Sequence, residues 1–285
     1  RWIKIHEYEF FNKLVIPNIT FEGGLLPNEG KKGGGVRKSI VIPESVSTIG
    51  DNVFYGCKSI KSIHLPNNVT SFGKNVFEDC KSLESIIIPN GVTQIDDEEF
   101  RKFNSLKSVT LPDSIKTIGK YSFEECKSLE SIIIPNSVTT IGQSAFQDCR
   151  SLKSIIIPET VSSIEERTFY GCNSLELINI PNSVTRIVSE VFYDCISLTN
   201  VEIPNSVTYI GGYAFYNCNS LENIELPNSV TKIGDFAFSG CSNLSSINIP
   251  TSLEKMGDNV FEGCGLQSIS IPSNIKSITS GAFKS

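Results

Sequence analysis

The sequence predicts a solenoid, in which short coils of equal length stack along one axis. The main observation is the spacing of the prolines: from Pro43 to Pro250 a proline recurs every 23 residues, and Pro272 follows after 22. A period of 20–29 residues is typical of leucine-rich-repeat solenoids. We therefore expect one continuous array of about 10–11 coils, since a solenoid grows by adding coils.

Apolar columns within the repeat predict two extended segments per coil. Positions are counted from each proline, so that −3 lies three residues before it. Isoleucine or valine occupies −3, as at Ile132, and isoleucine or leucine occupies −1, as at Ile134. This alternation is typical of a strand with one buried face, and the proline ends it because it cannot donate to a ladder. Valine at +3 and isoleucine at +6, with serine and threonine between, predict a second extended segment.

Glycine, phenylalanine and cysteine columns complete the coil. Glycine is frequent at +7, as at Gly142, where it suits a left-handed turn, although Glu165 and Val188 in that column indicate that positive φ is not compulsory there. The segment from Ala145 to Cys149 is the model for the next part of the coil. We expect it to form a single helical turn that points the phenylalanine and the cysteine inward.

The nine cysteines are also spaced by multiples of 23, and Phe103 stands at the one vacant place. A position that accepts either residue is an apolar, buried position, so reduced core thiols are expected. The alternative is a metal ladder. Zinc needs four converging Cys or His ligands, however, whereas each thiol in a column has only the thiols above and below it as neighbours. The two histidines, His6 and His64, are too few to complete such sites. No metal or cofactor is therefore predicted.

Residues 1–37 do not follow the repeat and are predicted to form an irregular N-terminal cap with a glycine-rich loop, whereas 38–285 form the array. The run GKKGGG at 30–35 lacks the preceding strand and the following Lys-Ser/Thr of a phosphate loop, so it is interpreted as a connector. The net charge of −6 disfavours nucleic acid as a partner. The sequence contains no run of 18 apolar residues, so no membrane span is predicted.

The pattern L-x-x-I-x-I-P-x-x-V-x-x-I-G-x-x-A-F-x-x-C, as at 129–149, resembles the BspA-like, or Treponema-type, leucine-rich repeat. The departures from this pattern are Phe103 for Cys, Glu99 and Ser122 for Ala, and one missing residue near Gly265. The resemblance implies surface or secreted proteins of bacteria and of parasitic or commensal protists, some of them adhesins for host matrix proteins or other cells. It carries no catalytic residues. Because no catalytic constellation stands apart from the repeat either, we expect a protein that is not an enzyme.

The exposed residues of the first strand form one candidate protein-binding face. In chain order, the −2 column that builds this face is Val41, His64, Ile87, Thr110, Ile133, Ile156, Asn179, Glu202 and Glu225. Exposed isoleucines would make a patch of the kind that marks protein contact. The alternative is that isoleucine stands there because it favours strands.

Tyrosines of the short turn form a second candidate surface, composed of Tyr170, Tyr193 and Tyr216 at +12 with Tyr209 and Tyr213 nearby. Tyrosines are common interface anchors, but an aromatic ladder would also stabilise the stack by itself. Both interpretations stay open at the level of sequence.

The sequence therefore favours a non-catalytic module at the cell surface or secreted, with an intracellular location as the alternative, that binds a protein ligand through the strand face. A host matrix or cell-surface protein would be such a ligand. The alternative function is a structural subunit of a larger assembly or filament that self-associates through the tyrosine side. Asn18, Asn68 and Asn243 match the N-glycosylation pattern, which has meaning only in a secreting eukaryote.

Overall fold

The computed structural model describes residues 39–284, so the predicted cap at 1–37 lies outside the described residues. Each coil is numbered by its proline, from coil 1 at Pro43, and includes the strand before that proline. The first strand row contains β1 (Ser39–Val41), β3 (Ser62–His64), β5 (Ser85–Ile87), β7 (Ser108–Thr110), β9 (Ser131–Ile132), β11 (Ser154–Ile155), β12 (Leu177–Asn179), β14 (Asn200–Glu202), β16 (Asn223–Ile224) and β18 (Ser246–Ile247). The second row contains β2 (Thr48–Ile49), β4 (Ser71–Phe72), β6 (Gln94–Ile95), β8 (Thr117–Ile118), β10 (Thr140–Ile141), β13 (Arg186–Ile187), β15 (Tyr209–Ile210), β17 (Lys232–Ile233) and β19 (Lys255–Met256).

Paired strands in both rows are parallel, and each of their residues faces its equivalent one repeat away. In the first row β1 to β14 form one sheet of eight strands, and β16 pairs with β18 beyond it. The register aligns Ile63 with Ile86, and both of these side chains are buried. The predicted leucine-rich-repeat solenoid, with one face of each strand buried, is confirmed.

Stacked phenylalanine rings fill the centre of the solenoid. The +11 rings from Phe54 to Phe261 are buried, and successive rings, including Phe283, stack with centroids 5.2–5.8 Å apart. Leucine, isoleucine and valine columns surround them and complete one continuous core. Because each coil buries its apolar side chains against two neighbours, stacking supplies the burial that a single coil lacks.

The predicted helical turn is replaced by hydrogen-bonded turns, and the described residues contain no helix. In coil 5 the N–H of Cys149 donates to the carbonyl of Phe146 at 3.2 Å, as one helical turn would. Ser144 and Asp148, however, adopt left-handed φ values of 55°. A right-handed helix cannot continue through such residues, so the segment closes as turns while still burying the phenylalanine and the cysteine.

The cysteine column lies in the core, and its thiols bridge adjacent coils. Cys149 Sγ donates to the carbonyl of Phe123 in the preceding coil at 3.1 Å, and this contact recurs along the column. A small apolar side chain with one weak donor therefore suits a buried position beside an accepting carbonyl. The prediction of buried core thiols is confirmed for the eight cysteines from Cys57 to Cys241, whereas Cys264 in the last of these coils is half-buried.

The interpretation of the +7 glycines as left-handed turns is wrong. Left-handed residues lie at +9 and +13, whereas φ at Gly142 is not in that region. A Cβ on Gly142 would lie 2.7 Å from the backbone nitrogen of Lys120 in the preceding coil. Its N–H donates to the carbonyl of Ile118 at 2.8 Å, so glycine is needed for the close approach that this bond requires.

The second strand row is interrupted wherever a side chain replaces that glycine. Asp96 stands at +7 after β6, and β6 does not pair with β4. Glu165 and Val188 fill the same position in coils 6 and 7, where the row is reduced to an isolated bridge between Ile164 and Ile187. The glycine column therefore determines where adjacent coils can close this ladder.

We expect Gly234→Ala to destabilise the array. The new Cβ would lie 2.4 Å from the nitrogen of Gly212, and overpacking of this kind costs about 1–3 kcal/mol. If only chain entropy mattered, the substitution would stabilise the protein by about 0.4–1 kcal/mol. Urea unfolding of Gly234→Ala distinguishes the steric effect from the entropic one, with Lys232→Ala at an exposed position of the same coil as the control. A gain in stability would contradict the close approach of the two backbones.

Candidate functional site

The strand face presents large apolar side chains to solvent. Ile133 is 83% exposed, Ile156 is 75% exposed and Ile87 is 60% exposed. Ile133 follows β9 and Ile156 follows β11, strands that pair with each other, so the two side chains are neighbours on consecutive coils. Thr110 of the intervening coil separates them from Ile87.

Leu177 extends this apolar surface and was missed by the sequence analysis. It is 58% exposed and pairs in register with Ser154, so it lies on the coil next to Ile156. Its position, −4, holds serine or asparagine in the other described coils. A leucine in this otherwise polar column is the sequence feature that could have predicted an exposed apolar side chain here. Ile87, Ile133, Ile156 and Leu177 are called the apolar patch below.

The rest of the predicted face is polar, and one member has a structural role. His64, Thr110, Glu202 and Glu225 are exposed, and Val41 is half-buried. The Asn179 side chain accepts from the N–H of Ile157 at 2.8 Å and donates to its carbonyl at 2.9 Å. Asn179 therefore completes the pairing between two coils, and its side chain is engaged within the sheet.

Two of the three glycosylation triplets lie within the described residues. Asn68 and Asn243 are exposed, and the Asn68 amide donates to the carbonyl of Glu44 at 2.6 Å. Asn18 lies outside the described residues.

Four of the five predicted tyrosines lie together. Tyr193 stacks between Tyr170 and Tyr216, with ring centroids 4.5 and 4.7 Å away. Tyr213 lies 5.6 Å from Tyr216 and stacks at 4.9 Å on Phe236 of the next coil. Because the rings cover one another's faces, mainly their edges remain for a partner, and the arrangement is that of a stabilising ladder.

Tyr209 lies apart from this ladder, in β15. The guanidinium of Arg186 lies over its ring, 4.4 Å from the centroid. Tyr209 and Tyr213 line a shared groove of about 720 Å³. Within the ladder, burial raises the pKa of Tyr193 to about 12, and Asp194 adds to this effect. Its phenol therefore stays protonated at neutral pH.

A larger cleft, of about 1230 Å³, opens at the joint between coils 2 and 3. At the joint before it, three N–H groups donate to coil 2 at 2.9 Å, namely those of Asn52, Phe54 and Gly56. The equivalent N–H groups of coil 2 donate to no carbonyl of coil 3; they belong to Asn75, Phe77 and Asp79. Because β4 and β6 do not pair either, the two coils separate along this side as far as the Ser105 hydroxyl, which donates to the carbonyl of Lys81 across the joint.

Glu99 lines this cleft in a column that otherwise holds Ala, Val, Ser or Thr. The side chain is buried, and its Oε1 has no hydrogen-bond partner. Burial, with a smaller contribution from the nearby Asp96 carboxylate, raises the pKa of Glu99 to about 8. The carboxyl group is therefore neutral at pH 7 and able to donate a hydrogen bond.

Removing the central tyrosine is expected to weaken the array. Tyr193→Ala removes two ring stacks, each worth about 0.5–1.5 kcal/mol beyond the buried area. Tyr193→Phe keeps both ring stacks and should unfold within about 0.5 kcal/mol of the parent, because Tyr193 is only half-buried and the change removes a single hydroxyl. Chemical denaturation of the parent and the two variants tests this prediction. Equal unfolding free energies for Tyr193→Ala and the parent would contradict a stabilising role of the tyrosine ladder.

Glu99 predicts a pH dependence of stability with a defined sign. The carboxyl group titrates near its ordinary value of 4.5 in the unfolded chain and at about 8 in the folded one. The contribution of Glu99 to the free energy of unfolding is therefore greatest below pH 4.5. It decreases by about 1.4 kcal/mol per pH unit as the pH rises from there toward 8. Glu99→Gln stays neutral, so its unfolding free energy should fall by about 3 kcal/mol less than that of the parent between pH 5 and 7.5. Parallel curves for the two proteins would contradict this.

Comparisons with solved structures agree with the observed architecture. A leucine-rich repeat protein from Bacteroides ovatus is 27% identical, covers 93% of this chain and 96% of its own, and superposes with a TM-score of 0.59. The T. pallidum leucine rich repeat protein TpLRR is 32% identical over 58% of this chain and 80% of its own, with a TM-score of 0.53. The pneumococcal vaccine antigen PcpA is 23% identical over 90% of this chain and 68% of its own, with a TM-score of 0.56, and shares the fold. A search of curated proteins gave no match.

Residues 39–284 include no helix that could cross a membrane. The sequence matches the BspA type leucine rich repeat region at residues 36–153, 73–195, 116–222 and 163–285, which together span the array. With the proline, phenylalanine and cysteine columns in the positions described, the chain belongs to the BspA-type leucine-rich-repeat family.

Proposed function

We propose that the array is a non-catalytic protein-binding module, and that a partner docks on the strand face over the apolar patch. The observation that carries this proposal is the exposure of Ile133 and Ile156, at 83% and 75%, on adjacent paired strands. An exposed side chain of this size adds nothing to the core. Burying each one in an interface would contribute about 1.5–3 kcal/mol.

The chemistry of the face favours a partner with an apolar centre and polar surroundings. Ser131 and Ser154 lie beside the isoleucines, in the exposed −4 column. Glu202 and Glu225 continue the face beyond Asn179 and give that end a negative charge. A ligand with an apolar patch flanked on one side by lysine or arginine would therefore complement it.

A location at the cell surface or outside the cell is part of this proposal, and so is a host matrix or cell-surface protein as the ligand. The family resemblance supports both, because it implies adhesins among surface and secreted proteins. Limited proteolysis of intact source cells tests the location. Digestion of the array on unbroken cells, or its recovery from the medium, supports the proposal, and protection until lysis contradicts it.

The alternative function, a structural subunit that self-associates through the tyrosine side, has weaker support. The tyrosine rings already pack face to face within one chain, with centroids 4.5–4.7 Å apart. The strand face has no such internal partner for Ile133 and Ile156, which are mostly exposed.

Binding to a panel of purified matrix and cell-surface proteins tests the strand face. We compare the parent with Ile87→Asp/Ile133→Asp/Ile156→Asp, in which about 3 kcal/mol or more of apolar burial is lost and affinity should fall at least about a hundredfold. The matched control is Ser71→Asp/Thr140→Asp/Ser163→Asp, which adds the same charge at exposed positions of the second row. Equal loss in both variants, or binding retained by the first, would overturn the strand face as the site.

A further inference from the structure

Three residues that depart from the repeat meet at one joint. Coil 3 carries Asp96 in the glycine column, Glu99 in the small-residue column and Phe103 in the cysteine column. Asp96 places a side chain where glycine would admit the neighbouring backbone, and Phe103 places a ring against Phe100 at 5.7 Å. Phe103 also lacks the thiol that donates to the preceding phenylalanine carbonyl at other joints. All three changes act on the contact between coils 2 and 3.

The joint is open on one side only. On the strand face β3 and β5 stay in register, and Lys61 pairs with Glu84 across the joint at 2.5 Å. In the core the rings of Phe77 and Phe100 stack at 5.8 Å. The walls of the cleft therefore meet at the core and diverge outward, and no strand-face residue lines it.

The two walls present complementary rows of unpaired backbone groups. The wall of coil 2 presents N–H donors, namely those of Asn75, Phe77 and Asp79. The wall of coil 3 presents the carbonyls that would accept them if the ladder were closed, namely those of Asp97, Glu99 and Arg101. A ligand that completes the ladder must therefore accept on one edge and donate on the other.

An extended peptide has this property. Its backbone offers carbonyls and N–H groups along both edges, repeating every second residue, and it lies about 4.8 Å from a neighbouring strand. A polyamine offers donors only and cannot satisfy the wall of coil 2. The three donors at alternate residues match a segment of about five or six residues.

Charge indicates which peptide fits. The lining contains seven carboxyl side chains, of which Glu99 is neutral at pH 7, against four basic ones. Arg101 is engaged with Glu98 at 2.8 Å and with Glu124, and Lys81 pairs with Asp79 at 3.4 Å. The partners in these pairs neutralise each other, which leaves the carboxylates of Asp51, Glu78, Asp96 and Asp97 against Lys74 and Lys102 in the lining. Asp96 and Asp97 are exposed at the rim of coil 3, where Asp96 accepts from Gln94 at 2.5 Å and Asp97 accepts from the N–H of Lys120 at 2.7 Å.

Glu99 supplies an independent indication of a ligand. Only 8% of this residue is exposed, and its Oε1 has no partner among the described residues. A buried polar atom in this state is costly unless a ligand or water satisfies it. We infer that the cleft between coils 2 and 3 binds an extended, lysine- or arginine-rich peptide segment of a partner protein, which completes the open ladder and reaches Glu99.

The first part of the test measures the cleft itself by hydrogen exchange in the full chain. The amides of Asn75, Phe77 and Asp79 should exchange at least about tenfold faster than their equivalents one coil earlier, because they lack acceptors. Those equivalents are Asn52, Phe54 and Gly56, which donate across their joint. Equal protection of the two sets would mean that the joint is closed and would overturn the inference.

The second part identifies the ligand with a phage library of random decapeptides. The library is panned on the parent and counter-selected on Asp96→Gly/Glu99→Ala/Phe103→Cys, which restores the repeat residues and closes the cleft. Enrichment of lysine and arginine is expected, and the selected peptides should bind the triple variant at least about tenfold more weakly. Should the triple variant fail to fold, Asp96→Gly alone replaces it.

Two controls locate the effect. Glu165→Gly/Thr168→Ala makes the same kind of restoration in coil 6, away from the cleft, and should bind the peptides within about twofold of the parent. Ile87→Asp/Ile133→Asp/Ile156→Asp should also bind the peptides within about twofold of the parent, which separates this cleft from the strand face. No enrichment, enrichment without basic residues, or affinity that survives closure of the cleft would each overturn the inference.

Discussion

The structure depends on one constraint: the backbone of each coil must come close enough to the next for its N–H groups to reach that coil's carbonyls. The first strand row meets this constraint with parallel pairs such as Ile63 and Ile86. The second row meets it where glycine at +7 removes the one Cβ that would collide, as at Gly142. The turns meet it through left-handed residues at +9 and +13, which aim N–H groups along the solenoid axis.

The repeat columns predict the core well because each column has a single environment. Ile132, Phe146 and Cys149 are buried as their columns indicate. The left-handed positions could not be predicted in the same way. They are occupied by residues as different as Tyr121, Ser144 and Arg167, since the backbone conformation there is imposed by stacking rather than by residue type. The role of the glycine column depends on a distance between coils, which no single coil reveals.

The candidate surfaces also depend on contacts between coils, which a single repeat does not reveal. The sequence places Ile133 and Ile156 on an exposed face, but Leu177 joins them only through the register of β11 and β12. The tyrosines of the +12 column are brought together as predicted, yet their stacking leaves edges where an interface would use faces. The cleft could not be predicted, although Glu99 and Phe103 depart from their columns in the sequence, because residue type alone does not indicate how far the backbones of two coils separate.

The cysteine column has a consequence for the surroundings in which such a chain can work. Burial raises the pKa of Cys149 well above its ordinary value, and Cys195 behaves in the same way. Oxidation and disulfide exchange proceed through the exposed thiolate, which these side chains do not provide. A folded array can therefore carry its eight buried cysteines into an oxidising medium without forming cross-links, whereas the half-buried Cys264 and the thiols of the unfolded chain stay open to oxidation.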